Sequence, residues 1–275
     1  MKIDAVVVFY NPTIEMIENI KKYYSFIEHL FVVDNSSTTN EEVLKAVKEL
    51  EKATYIPLGE NKGIGYALKV GLEKVKEDNA DICLTMDQDS IFPSDRWNEV
   101  KEYLEKNIKD YAIIGLNFNK AETKKGLVEV KTLLTSGNFI NMSDYSKIKG
   151  FNEDLFIDCV DFELCEQFYN INRKIAYINE ISLIHQMGDN PIRKRFFGVP
   201  ITCLNHSPIR YYYRYRNGYY LYHKNKKFYK NLKNQFFSIK LKVVLYEPNK
   251  KEKMKMMSRG IKDAKRNILG PYKGE

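Results

Sequence analysis

Short apolar runs rich in Val and Ile alternate with helix-period segments through residues 1–90, and each run stops at a polar or acidic residue. Asp4 to Phe9 is a β-branched run broken by Tyr10-Asn11-Pro12, and Leu30 to Val33 ends in Asp34-Asn35-Ser36-Ser37. Tyr55 to Leu58 carries Pro57, which suits a sheet edge or a strand end, and Asp81 to Met86 runs into Asp87-Gln88-Asp89-Ser90. The intervals read as helices. Thr13 caps a segment through Phe26 with Ile14, Ile17, Ile20 and Tyr24 at helical spacing. Asn40 caps Glu41 to Lys52, whose stripe is Val43, Leu44, Val47 and Leu50, and a third helix runs from Gly65 to about Lys76. Strands and helices alternating at this spacing predict a mostly parallel, doubly wound α/β sheet flanked by helices. In such sheets ligands bind outside the carboxyl ends of the strands.

Two carboxylates, Asp87 and Asp89, stand at one such end. Hard oxygen ligands there can hold Mg²⁺ or Mn²⁺, and the metal a diphosphate. Taken alone, the pair reads equally as a turn in which Asp89 or Ser90 caps the next helix. Gly63-Ile64-Gly65 is not a dinucleotide fingerprint, because it follows the third strand and Leu68 stands where the third glycine belongs. As the start of a helix it can still approach a phosphate or ribose, or simply serve the turn.

Further along, Asp95 to Lys106 reads as a helix and Ala112 to Leu116 as a strand. Asn117 to Gly126 is a polar loop, and Val128 to Leu134 and Phe139 to Met142 are strands around the Thr135-Ser136-Gly137-Asn138 turn. Asp144 to Lys149 is a short helix closed by Gly150. A second acidic cluster, Asp158 to Glu163, opens a helix that continues through Tyr169; Asp158 and Asp161 lie three apart and can share a face. Favourable acids at a helix start explain such a cluster structurally, whereas a metal-and-base site would use them chemically. Lys174 to Ile178 and Ile181 to His185 suggest two paired short strands, and Asn190 to Asn205, with Arg193, Lys194 and Arg195, a loop suited to a mobile lid. Helices are expected from Arg210, Phe228 and Lys251.

Charge divides the chain. From His206 to Glu275 there are 19 Lys and Arg against 4 Asp and Glu, a net of +15, which leaves −7 on residues 1–205 of a chain whose total is +8. Arg–Tyr interleaving in this tail suits nucleic acid, and equally a helix packed on the main domain with its cations facing lipid headgroups. The four cysteines show neither zinc nor disulfide spacing, and the apolar run at the start is too short for a signal peptide. No segment approaches the length of a membrane span. A cytoplasmic setting is the expectation.

Taken in order, Val6-Val7-Val8-Phe9-Tyr10-Asn11, Val33-Asp34-Asn35-Ser36, Asn61 to Gly65, Asp87-Gln88-Asp89, Thr135-Ser136-Gly137 and Val160 to Glu163 resemble the family 2 glycosyltransferases of the GT-A fold. The resemblance covers roughly residues 3–220 and looks closest to the bacterial rhamnosyltransferases, through Phe156 to Asp161, His185 with Gly188, and His206-Ser207-Pro208 running into Arg210, Tyr212, Tyr213, Arg216 and Asn217. It implies a catalytic domain over 1–205, with a nucleotide-sugar half to about 115 and an acceptor half beyond, then a basic helical extension over 206–275. It further implies an inverting, metal-dependent transfer. Asp89 would ligate Mg²⁺ or Mn²⁺, Asp87 would face the ribose or metal, Asp34 the pyrimidine base, and Asn61 and Gly63 the nucleoside. Asp161 would take the acceptor's proton, Glu163 matches the family acid two residues on, and His185 would complete the metal shell or touch phosphate. Where the family has a Glu-Asp pair, Val160-Asp161 stands here, which leaves Asp158 as a substitute in sugar binding, with Arg210 on the substrate side. The implied donor is dTDP-L-rhamnose, with a UDP-sugar as the alternative, and the implied acceptor a surface polysaccharide or lipid-linked glycan. Contact with an anionic inner-leaflet surface is expected, nucleic acid is not, and homo-oligomerisation stays open. A nucleotidyltransferase-like enzyme is a further alternative, although Asn11-Pro12-Thr13 supplies no phosphate loop; a non-catalytic basic binding protein is the remaining one.

Overall fold

The computed structural model describes residues 1–118, 124–184, 191–196 and 199–274. These form two compact units: the described residues of Met1–Glu153 with Val160–His185, and those of Asp154–Cys159 with Gln186–Glu275.

The first unit is built on an eight-stranded sheet of order β3-β2-β1-β4-β7-β5-β8-β6. The strands are β1 (Ile3–Phe9), β2 (His29–Asp34), β3 (Ala53–Pro57), β4 (Ile82–Asp87), β5 (Tyr111–Asn117), β6 (Leu127–Val130), β7 (Asn138–Asn141) and β8 (Lys174–Ser182). β1 pairs in parallel with both β2 and β4, and β2 with β3, as the sequence rhythm requires. β5 and β8 are also parallel, whereas β7 runs antiparallel between β4 and β5, and β6 antiparallel to β8. Helices α1 (Met16–Tyr24), α2 (Glu41–Lys48), α3 (Ile64–Glu77), α4 (Trp97–Asn107), α5 (Met142–Tyr145) and α6 (Val160–Asn170) connect the strands. The core between sheet and helices is aliphatic on β1, β2 and β4 and aromatic where Phe92, Trp97 and Phe139 meet.

Several local expectations change. The first helix begins at Met16, with Thr13 reduced to accepting the Met16 N–H at its backbone carbonyl (3.1 Å), so Thr13 is not its side-chain cap. Asn40 does cap α2, its Oδ1 accepting from the Glu42 and Val43 amides at 3.1 and 3.3 Å. Lys174 to Ser182 is one strand: its register against β5 shifts, and this irregularity lets Asn179 and Glu180 interrupt the apolar run without ending it. The Arg193-Lys194-Arg195 segment is not a loop; it lies in β9 (Ile192–Phe196), antiparallel to β10 (Val199–Cys203).

The second unit also holds α7 (Pro208–Lys224), α8 (Leu232–Tyr246) and α9 (Lys250–Lys265). Tyr211, Tyr215, Val243 and Met257 form its apolar centre. A buried Lys253–Glu247 ion pair at 2.9 Å lies beside it, and the Tyr211 hydroxyl donates to the same carboxylate. All four cysteines are buried. Among the described residues no helix is long and apolar enough to cross a membrane.

Candidate active site

In the first unit the order β3-β2-β1-β4 puts β1 at the point where the parallel strands diverge, β2 having been added on one side and β4 on the other. A crevice at the carboxyl end of β1 is the place where such a sheet takes ligands. The register sets the acids there: Phe9 pairs with Asp34 on β2, and Val8 with Asp87 on β4. Two carboxylates therefore flank the end of one central strand.

The Asp34 side is a hydrogen-bonded net. Asp34 is buried; its Oδ1 accepts the Ser36 amide at 3.0 Å and its Oδ2 the Tyr55 hydroxyl from the next strand. Burial first, and then the Asp34 carboxylate, push the Tyr55 hydroxyl far above the ordinary tyrosine range, so it stays a donor. Asn35 Oδ1 accepts the Lys62 amide at 2.8 Å, and its Nδ2 donates to Asn61 Oδ1, which also accepts the Gly63 amide at 3.0 Å. Strand end β2 and the start of α3 are thus tied through two asparagines. Gly63, at φ 88, turns the chain into α3 in a conformation that a side chain would strain.

The Asp87 side is tied to the turn between β6 and β7. The Asp87 amide donates to Ser136 Oγ at 2.9 Å, and that hydroxyl donates to Ser90 Oγ at 2.8 Å. Gly137, at φ 74, donates its amide to the Thr85 carbonyl at 2.8 Å. Gln88 clamps Tyr10, accepting its amide and donating to its carbonyl at 2.8 and 3.1 Å. Asp87 is half-buried and Asp89 exposed.

Asp161 lies in the first turn of α6, half-buried, with its Oδ1 accepting the Phe162 amide at 2.9 Å. Gly65 explains how α6 approaches α3. A Cβ at Gly65 would stand 2.7 Å from the Asn152 carbonyl oxygen and 3.3 Å from Val160 Cγ1. The missing side chain lets Val160, at the start of α6, lie against the first turn of α3. Glu163 points inward, 4% exposed, and accepts from Gln167 Nε2, which also donates to the Gly150 carbonyl.

In the second unit, Asp158 and Arg210 meet as a fork, Nε to Oδ2 at 3.0 Å and Nη2 to Oδ1 at 3.2 Å. Burial raises the Asp158 carboxyl, but Arg210 and Arg214 more than offset it and hold the group below its usual range. Its loop contains three left-handed residues, Phe156, Asp158 and Cys159. The buried Asn217 amide donates to the Leu155, Ile157 and Asp158 carbonyls at 2.7 to 2.8 Å, and Arg216 donates to those of Asp154 and Leu155. Phe156 stacks on Tyr213 at 4.8 Å. His185 lies outside the described residues.

The structure thus joins Asp34, Asn61 and Gly63 in one net, sets Asp87 and Asp89 across β1 from it, and brings the start of α6 to α3. Sequence reading gave Tyr55, Asn35 and Ser136 no supporting role, although Asn35 and Ser136 lie within the Val33-Asp34-Asn35-Ser36 and Thr135-Ser136-Gly137 motifs. Among the described residues no three His, Cys, Asp or Glu are grouped so as to enclose a metal. A pair of carboxylates on one turn is nevertheless the donor set by which Mg²⁺ is usually held, the remaining places going to water and phosphate oxygens. Asp87 and Asp89 fit that chemistry.

Comparison with known proteins bears on the family. A family model described as glycosyl transferase family 2 matches residues 4–157, ending just before Asp161. A dTDP-rhamnosyl transferase of Shigella flexneri, RfbF, is 29% identical over 245 residues, 80% of either chain. Among solved structures, S. aureus TarS superimposes with a TM-score of 0.54 at 14% identity over 95% of this chain, which spans 43% of the TarS chain. TarS 1-349 in complex with UDP gives 0.53 at 15% identity, covering 96% of this chain and 71% of that one. At such identities the structural likeness speaks for the fold alone.

Proposed function

The chain belongs to glycosyl transferase family 2, and from that premise we propose that it moves L-rhamnose from dTDP-L-rhamnose to a hydroxyl of a growing surface polysaccharide or lipid-linked glycan. The observation that carries the reading is the pair Asp34 and Asp87 in register on either side of β1, with Asn61 and Gly63 tied to the first of them. The likeness to the dTDP-rhamnosyl transferase supports the choice of donor. A UDP-sugar is the second reading, supported by the UDP and UDP-GlcNAc complexes of TarS. Thymine and uracil differ by one methyl, a difference worth only about 1–3 kcal/mol to a pocket.

In this reading Asp34 accepts hydrogen bonds from the pyrimidine, held in place by Ser36 and Tyr55. The nucleoside lies along Asn61 and Gly63, and Asp87 orients the ribose. Asp89, with Asp87, would hold Mg²⁺ or Mn²⁺, which when bound neutralises the departing diphosphate. Asp161 accepts the proton of the acceptor hydroxyl as its oxygen bonds to the anomeric carbon and the carbon–diphosphate bond breaks, inverting the centre. Asp158, fixed by Arg210, contacts sugar hydroxyls as an acceptor. A lipid-linked acceptor places the work at the inner, anionic face of a membrane.

The test is a binding panel of nucleotide sugars with and without Mn²⁺, run on wild type and Asp161→Asn. dTDP-L-rhamnose should bind most tightly, and only with metal. The variant should bind it equally while transfer falls about a hundredfold or more, the scale of a lost general base. Near-normal turnover in the variant, or indifference to every nucleotide sugar, would reject the reading.

A further inference from the structure

α8 is apolar on two opposite faces. Its inner face, with Phe236, Ile239 and Val243, packs with Tyr211, Tyr215 and Met257, and Leu232 is buried as well. Its outer face carries Phe237, Leu241, Val244 and Leu245, which at 70%, 49%, 43% and 51% exposure are among the most exposed large apolar residues of the chain. They stand at i, i+4, i+7 and i+8, one continuous stripe. A helix apolar all round is ordinarily buried, and a contiguous exposed stripe marks an interaction surface.

The surrounding charge says what covers it. From Lys224 to Tyr246 there are seven lysines and no Asp or Glu. Lys233 and Lys240 are exposed beside the stripe, and Lys226, Lys227 and Lys230 are exposed in the segment leading to it. The Lys242 ammonium donates to the Thr202 carbonyl on β10 at 3.1 Å, and β10 pairs with β9, whose Arg193, Lys194 and Arg195 are exposed. The one acid that follows α8 directly, Glu247, is buried and already holds Lys253 and Tyr211. A second copy docked by two-fold symmetry would set this cationic stretch against itself, which is repulsive. An anionic bilayer supplies both needs: an apolar interior for the stripe and headgroup phosphates for its lysines.

We infer that α8 is the membrane-contact element of this chain, lying in the interface with Phe237, Leu241, Val244 and Leu245 in the acyl boundary and the flanking cations on acidic headgroups. The inference deepens the membrane-facing part of the proposed function and rests on it only for its purpose; lipid binding itself needs neither donor nor acceptor.

The full chain is tested by co-sedimentation with vesicles of phosphatidylcholine alone or with about 30% phosphatidylglycerol. Binding should require the anionic lipid, weaken as salt rises, and fall about tenfold or more in F237E/L241E. Donor binding, measured separately, should be unchanged in that variant, so failure of the transferase reading leaves this outcome distinct. Because the four native cysteines are buried, Phe237→Cys can be labelled with an environment-sensitive dye, whose emission should shift to the blue on adding anionic vesicles. The inference is overturned if wild type ignores anionic vesicles, if F237E/L241E sediments like wild type, or if the dye does not shift. It is equally overturned if wild type is a dimer that the double substitution dissociates while vesicle binding persists.

Discussion

Asp4 is a carboxylate where the fold offers it little. It sits on β1 between His29 and Cys83, at 0% exposure, and neither of its oxygens finds a hydrogen-bond partner among the described residues. Burial, followed by the neighbouring Asp78, pushes its pKa up to about 7 from an ordinary 3.8. A folded pKa above the unfolded one means that the folded chain holds the proton over this interval. Its contribution to stability is therefore full below about pH 4 and lost as pH rises through 7. At about 1.4 kcal/mol per pKa unit the ceiling is about 4 kcal/mol, and 1–3 kcal/mol is the expected fall between pH 5 and pH 8. Asp4→Asn should flatten that slope and be the more stable protein at pH 8; urea midpoints at the two pH values measure it, and parallel slopes would contradict the assignment. Asp158 shows the opposite balance, since two arginines offset its burial. The difference was not legible in sequence. Asp34, Asp87 and Asp89 could be picked out because they terminate apolar runs, whereas Asp4 begins one and reads as an ordinary polar strand start. Nor could Tyr55 be assigned to Asp34, because their pairing is made by sheet register across twenty-one positions of chain.

At the scale of elements, β1, β2 and β4 were legible because each is a buried, continuously apolar parallel strand, and β3 because Pro57 suits the sheet edge it occupies. The second half of the sheet was less so. There, antiparallel β6 and β7 have four residues each, too short for a period to declare itself, and the polar Asn179 and Glu180 inside β8 suggested a break. The glycines of Gly63-Ile64-Gly65 were seen, but their division of labour was not: Gly63 supplies a positive φ, and Gly65 an absence of volume. That division is testable. Gly65→Ala adds a methyl 2.7 Å from the Asn152 backbone oxygen, so α6 or the 150–153 segment must move. Helix propensity returns up to about 1 kcal/mol, against an overpacking cost of about 1–3 kcal/mol. The expected result is a small net loss of stability with kcat reduced about tenfold or more and donor affinity nearly kept, because Asp161 shifts while Asn61 and Gly63 stay. Steady-state kinetics beside isothermal titration of the donor separates the two; an unchanged kcat would show that the approach of α6 to α3 does not position the base.

At the scale of the whole chain, the described residues form two units with separate cores, and each holds some of the residues picked out from the sequence. Asp34, Asn61, Asp87, Asp89 and Asp161 belong to the acidic first unit, and Asp158 and Arg210 to the second, strongly basic one. The charge division was visible in the sequence; the return of residues 154–159 to the second unit was not, because it depends on carbonyls held by Asn217 and Arg216, some sixty positions downstream. The proposed residue roles predict a two-step pattern of protection. A nucleoside diphosphate with Mn²⁺ should slow amide exchange at 35–37, 58–63 and 87–90, the strand-end turns that would hold base, ribose and phosphates. The sugar-bearing donor should add slowing at 156–161, where Asp158 would meet the sugar and Asp161 the acceptor side. Ligand linkage fixes the scale: at a hundredfold excess over Kd, openings that require release slow by about two orders of magnitude, equivalent to about 2.7 kcal/mol. Hydrogen exchange read by mass spectrometry on the full chain makes the comparison. Protection at 156–161 by the diphosphate alone would mean that Asp158 belongs to phosphate or nucleoside and not to the sugar.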